Sequence, residues 1–184
     1  PGHVVGHSKT GVANPGDLLH TIVLSCLQLG VAPAARTEVD VTPVDYVAAA
    51  IVELSLQSES FGRNFHLTNP APLQMGDLVA WMRQMQIDVE FVSDEAWREK
   101  LTRLATTVDR DELRMLAEIL APRMLAGDAA GAVHPRFDSS AAQAALAPTD
   151  VRCAPPDARL LSACFDYLRR TQNLELAASA FPSV

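Results

Sequence analysis

The chain has 184 residues, 48% of them hydrophobic, enough to bury a real core and suited to one domain or one domain with an appendage. A net charge of -7 and a pI near 5.1 remove the long-range pull toward phosphate backbones that nucleic-acid binders use, so nucleic acid is not an expected partner. No apolar run approaches the roughly 20 residues a membrane span needs and no signal sequence opens the chain, so no membrane partner is expected and the protein reads as soluble.

Residues 1 to 16 hold Gly2, Gly6, Gly11 and Gly16 with His3, His7, Ser8 and Asn14, a composition that predicts an irregular loop following a strand. Such loops often line sites. From Asp17 onward Leu18, Leu19, Ile22, Val23, Cys26 and Leu27 recur at helical spacing, with Asp17 placed to cap the first turn and Gly30 to end the last. Glu38 to Val41 alternates briefly, and Thr42-Pro43 reads as N-cap and first helical residue of a helix from Val44 to about Leu56. Phe61-Gly62-Arg63 turns the chain into an alternating strand, Asn64 to Thr68, which Asn69-Pro70 stops. A helix follows from about Met75 to Met85, then a short strand from Val89 to Val92.

After Ser93, a fitting N-cap, the pattern becomes helical over 94–107, 109–125, 139–146 and 156–172, interrupted by Ala/Gly-rich 126–132 and Pro-containing 148–156. These helices are expected to form a cluster of their own. The tail, 175–184, is small, apolar and weakly patterned, and is expected to be disordered or loosely packed. Cys26, Cys153 and Cys164 form no C-x-x-C arrangement and lie among apolar residues, so all three read as reduced core residues of a cytoplasmic protein. The chain opens on Pro1 instead of Met, which suggests a piece of something longer.

His3 and His7 stand four apart, but the glycines around them oppose the helix that would aim both at one metal, and no Glu follows His3; no metal is expected. Ser8, His20 and Asp17 contain the residue types of a hydrolytic triad without the sharp turn or the long-range assembly one needs. Tyr46 has Ala50, not Lys, four residues on, so nothing there would lower its pKa for proton donation. His66 alternates with Phe65 and Leu67 as a strand residue does, and Trp81 and Trp97 read as packing residues. Between Arg98 and Arg123 basic and acidic residues mix, as on a solvated helix face.

Several segments in order carry a resemblance: Pro1-Gly2-His3-Val4, then Gly6-His7-Ser8-Lys9-Thr10-Gly11, Asn14 with Asp17, Cys26 to Gly30, Thr42-Pro43-Val44-Asp45-Tyr46-Val47, Phe65-His66-Leu67-Thr68-Asn69-Pro70, and Glu95-Ala96-Trp97. Together they resemble the carboxy-terminal half of the thioester reductase domains that end nonribosomal peptide and polyketide assembly lines, members of the extended short-chain dehydrogenase/reductase superfamily. The likeness is close to about Leu101 and continues more thinly through Phe137-Asp138-Ser139-Ser140. Gln86 stands where many relatives have Gly.

The resemblance implies an α/β, mostly helical fold: edge strands of a Rossmann sheet with a helical substrate-binding subdomain, and the amino-terminal Rossmann half missing. It divides the chain into 1–92, the end of the Rossmann-like core with the substrate loop, 93–174, a helical substrate-binding or lid subdomain, and 175–184, a tail. Pro1, Gly2, His3 and Val4 would border the nicotinamide of NADPH, and Gly6, Ser8, Thr10 and Asn14 would shape the substrate entrance. Asp45 would open a helix beneath the cofactor-side sheet, where an acid suits unpaired first-turn amides. The partner implied is an acyl or peptidyl carrier protein presenting a phosphopantetheine thioester, which a basic stripe among Arg98, Lys100, Arg103, Arg110, Arg114 and Arg123 would receive.

The family reaction is reduction of that thioester to an aldehyde or alcohol. This chain has neither a Gly-rich dinucleotide loop nor a Tyr-x-x-x-Lys pair, so no catalytic residue is assigned and the chain alone is expected to be inactive and not to hold NADPH. Two alternatives stand beside this: a non-catalytic module that docks carrier proteins, and part of a reductase acting on fatty acyl-CoA or carboxylate-derived thioesters.

Overall fold

The computed structural model describes residues 1–14, 16–34, 36–107, 114–120 and 137–171, the side chains of 119 and 120 excepted. The expected tail, the 126–132 interruption and both ends of the expected 109–125 helix lie outside these residues.

Helix α1 (Leu18–Leu29) is the central element. Asp17 caps it from an extended conformation, and Gly30 closes it in the left-handed region at φ 65°, its N–H bonded to the Cys26 carbonyl at 2.9 Å. Every residue from Leu18 to Cys26 is buried, so the helix is wrapped on all sides, not amphipathic as its spacing suggests. Its polar residues survive there because each has an internal partner: Thr21 Oγ1 donates to the Asp17 carbonyl at 2.8 Å and Ser25 Oγ to that of Ile22 at 2.8 Å.

The strands are two residues each, in three ladders. β1 (Val4–Val5) lies parallel to β4 (Thr42–Pro43), β2 (Val31–Ala32) parallel to β6 (Glu90–Phe91), and β3 (Glu38–Val39) antiparallel to β5 (Leu73–Gln74). Segment 64–68 forms no ladder, contrary to the expected strand; its one tie to the opening residues is the Gly2 N–H bonded to the Leu67 carbonyl at 2.9 Å. Its alternation is real nonetheless, with Leu67 buried and Asn64 and His66 exposed.

Helix α2 (Val44–Leu56) has the expected bounds, but Pro43 is its cap and not its first helical residue. Pro43 holds the cap position at φ -62°, and Thr42, expected to cap, turns its hydroxyl to Asp40 instead. Helix α3 (Met75–Gln84) is followed by Gln86 at φ 59°, a left-handed conformation that favours Gly. Here a residue with a side chain makes the turn, under strain. Helix α4 (Asp94–Thr107), a π-helical segment (Leu116–Leu120), α5 (Ser140–Leu146) and α6 (Ala158–Thr171) complete the order.

The helices beyond residue 93 do not cluster by themselves. Trp97 and Leu101 of α4 and Leu160, Phe165 and Leu168 of α6 share one core with Val5, Leu19, Ile22 and Met82, while Ala142 and Leu146 of α5 pack with Tyr46, Ala50 and Leu54 of α2 in a second. Deleting a fully buried Leu side chain from the first, such as Leu19, costs about 2–5 kcal/mol. Trp81 joins α3 to α6 through an edge contact with Phe165 and a 3.3 Å bond from its indole to Ser162 Oγ.

Candidate functional site

The opening loop is a closed turn. The His7 N–H donates to the Val12 carbonyl at 3.0 Å and the Gly11 N–H to the His7 carbonyl at 2.8 Å. Gly11 needs its lack of a side chain twice: φ is 68°, and a Cβ would stand 1.9 Å from the Ala163 carbonyl oxygen. Helix α6 therefore lies directly on this loop. The sequence leaves that contact invisible, because it spans most of the chain.

Gly6, expected to leave space for substrate, faces inward. A Cβ there would meet the Gly11 carbonyl oxygen at 2.6 Å and Ala13 Cβ at 3.2 Å, and its φ is not in the left-handed region. The room beside it is filled by its own loop. Thr10 and Asn14 are exposed on the rim, and Asn14 Oδ1 accepts from the Gly16 N–H at 3.2 Å, turning the chain toward α1. Ser8 is held by Asp45: its N–H reaches Oδ1 at 2.8 Å and its hydroxyl Oδ2 at 2.6 Å. Partial burial pushes the Asp45 carboxyl up, but these two bonds outweigh it and hold the group below the usual carboxylate range, with His7 adding in the same direction.

Beneath the loop, Asp17 and His20 form a buried pair. The Asp17 carboxylate accepts from the His20 backbone N–H at 2.9 Å and from Nδ1 at 2.7 Å, while Nε2 faces the Cys164 carbonyl of α6 at 3.0 Å. A carbonyl only accepts and a carboxylate accepts too, so both ring nitrogens are satisfied together only in the imidazolium. Burial opposes that charge, yet the bond and charge of Asp17 and the Cys164 carbonyl prevail, and the His20 pKa is raised. The three residues read as a coincidental triad are thus split between two ties: Ser8 to Asp45, and His20 to Asp17.

The residues expected to border the cofactor are fixed by a knot that the sequence pattern does not announce. Asp40 accepts from the His3 N–H at 3.1 Å, Thr42 Oγ1 at 2.9 Å and the Asn69 N–H at 3.3 Å, and a Cβ on Gly2 would lie 1.6 Å from its Oδ2. Asn69, 7% exposed, donates from Nδ2 to the carbonyls of Val41 at 2.6 Å and Ala154 at 3.0 Å. Pro1 and His3 stay exposed at this edge, Gly2 is half-buried, and Val4 pairs with Thr42. The signal available was local: Asp40-Val41-Thr42-Pro43 and Asn69-Pro70 place short polar side chains beside prolines, where they bond nearby backbone.

No thiol here is poised for chemistry. Burial pushes Cys26 up to about 12, and burial with nearby acids does the same to Cys153 (Asp40, Asp45) and, despite a Gly6 amide contact, to Cys164 (Asp17, Asp45). Cys26 and Cys164 are core residues as expected; Cys153 is only half-buried. Burial, aided by Cys153, raises Tyr46 as well, keeping it a neutral phenol. His7 Nδ1 accepts from the Lys9 N–H at 3.2 Å, and among the described residues no three His, Cys, Asp or Glu gather as a metal site.

A strand, a glycine loop over a helix cap and the return to a parallel strand make a β-α-β crossover of a mixed α/β fold, and residues 1–51 match the family NAD_binding_4, described as Male sterility protein. The more particular likeness is to terminal reductase domains. The chain is 32% identical to the terminal R domain from the myxalamid PKS-NRPS pathway, with a TM-score of 0.79 over 95% of this chain and 43% of that one. It is 28% identical over 177 residues to a linear gramicidin synthase of Brevibacillus parabrevis, which is 95% of this chain and 3% of that protein. An archaeal thiolation-reductase di-domain shares the fold at a TM-score of 0.68 and 18% identity, covering 93% of this chain and 35% of that one. In sequence and fold the chain thus resembles part of a terminal reductase domain, and spans under half of the solved domains it matches.

Proposed function

We propose that this chain is the substrate-binding part of an NADPH-dependent thioester reductase that releases a carrier-bound peptidyl or polyketidyl chain as an aldehyde or alcohol. The likeness of nearly the whole chain to the myxalamid terminal R domain carries the reading. The cofactor would supply hydride to the thioester carbonyl. Pro1 to Val4, held by Asp40 and Leu67, would form a rigid edge beside the nicotinamide, and the rim of the opening loop, Ser8, Thr10 and Asn14, would shape the entrance for the phosphopantetheine arm. Gly6 would act from inside, keeping that rim in shape. Residues 1–92 would then supply the edge of the cofactor domain and 93–174 the helices that cover the substrate, with α4 and α6 sharing the core of the first part.

A hybrid domain tests this: the amino-terminal portion of the myxalamid R domain, the part this chain does not cover, fused ahead of Pro1. The hybrid is expected to consume NADPH with a carrier-bound thioester, and the chain alone is not. Thr10→Trp in the hybrid should lower turnover by about tenfold with NADPH affinity unchanged, since the rim would meet substrate and not cofactor. Equal loss of both, or no loss, would remove the rim from the substrate path.

A further inference from the structure

Helix α2 turns an apolar stripe to water. Val44, Ala48, Ile51, Val52, Ser55 and Leu56 follow the i, i+4, i+7, i+8 spacing of one helix face, and all are exposed. Ile51 is 54% exposed, Val52 56% and Leu56 77%, and Phe61 just beyond is 74%. Helix α4 shows what a solvated face looks like in the same molecule: its exposed residues include Glu95, Arg98, Glu99, Lys100 and Arg103. The opposite face of α2 is already used, Tyr46, Val47, Ala50 and Leu54 packing on Leu67 and α5.

We propose that the outward face of α2 is the seam against which the amino-terminal portion of the reductase domain packs. This rests on reading the chain as the later part of such a domain, since the myxalamid R domain holds a further 57% (100 minus the 43% covered) that must lie against some surface of this part. Continuity selects the surface. β1 follows the residues that join the earlier portion, it pairs with Thr42–Pro43, and Pro43 leads directly into α2, so the stripe begins beside the junction. An apolar face whose one acid, Asp45, is already bonded to Ser8 suits an intradomain core, whereas docked partners that come and go meet a more polar rim.

Thiol labelling tests it. Ile51→Cys and Leu56→Cys, with Arg98→Cys as the exposed control, are placed in the chain alone and in the hybrid domain, and maleimide reaction at each site is followed by mass spectrometry. In the hybrid, labelling at 51 and 56 should slow by about tenfold or more while 98 is unchanged, because a covered site reacts only through opening. Unchanged labelling at 51 and 56 overturns the seam. So does concentration-dependent protection in the chain alone with a dimer in ultracentrifugation, which would make a second copy the occupant. A measurement free of the hybrid's folding is the chain's binding of a polarity-sensitive dye: Ile51→Glu with Leu56→Glu should abolish it with melting unchanged within about 2 °C. Dye binding that persists, or a chain that no longer folds, counts against the proposal. Hybrid turnover without protection sinks the seam alone; protection without turnover sinks the functional reading and keeps the seam.

Discussion

Two carboxylates tie down the opening loop, and they work in different media. Asp45 sits at the rim, half-exposed, gripping Ser8 from the start of α2. Asp17 lies beneath, its side chain 5% exposed, paired with an imidazole that reaches on to α6. The rim tie can exchange its partners for water at little cost; the buried one has no water to fall back on. A loop that must be shaped yet reachable is therefore rigid from below and adjustable from above.

The comparison breaks most visibly at His20. His20→Ala strands the Asp17 carboxylate and the Cys164 carbonyl in the core, and should lower unfolding free energy by about 3 kcal/mol in denaturant titration. A loss under about 1 kcal/mol would mean water reaches the pair and the contrast is false. Gly11→Ala comes next: the left-handed φ and the clash with the Ala163 carbonyl should cost about 2 kcal/mol or more and displace α6, seen as faster hydrogen exchange in residues 158–171. Exchange that stays unchanged there would show the loop, not the helix, giving way.

Asp45→Asn should cost only about 1 kcal/mol, because solvent screens the rim and an amide oxygen still accepts from Ser8. The smallest effects are those of pH, and they have opposite signs. His20 is raised above its ordinary 6.5, so its contribution is complete below that pH and fades as pH climbs through the folded value. Asp45 is lowered from its ordinary 3.8, so its contribution is complete above that pH and fades as pH falls through the folded value. Stability measured against pH should lose its alkaline slope in His20→Gln and part of its acid slope in Asp45→Asn. A single variant that flattens both limbs would mean the two ties are one network.

What the sequence reveals about this architecture follows the range of each interaction. Helix α1 is legible to the residue, because Asp17 and Gly30 cap it through bonds spanning three or four positions. Two-residue strands carry too little alternation to announce themselves, so β1, β2, β4 and β5 escape, whereas 64–68 alternates well and still forms no ladder. The rim residues Thr10 and Asn14 are where their composition suggests. Gly6 turns inward onto Gly11 and Ala13 of its own loop, which composition does not reveal, while the bonds of Asn69 N–H to Asp40 and of Nδ2 to the Ala154 carbonyl span 29 and 85 residues, so the local pattern marks the polar residues and not their partners.

The bond from His20 to Cys164 joins positions 144 residues apart, and this sets an order of assembly. Closing so long a loop is entropically uphill until much of the intervening chain has condensed. On the ribosome the opening loop emerges before α6, on which its shape depends. Until then Asp17 and His20 are only a helix cap, with one ring nitrogen turned to water. The opening loop thus acquires its final form only when α6 arrives, so a chain that stopped before residue 158 would leave the loop without its support.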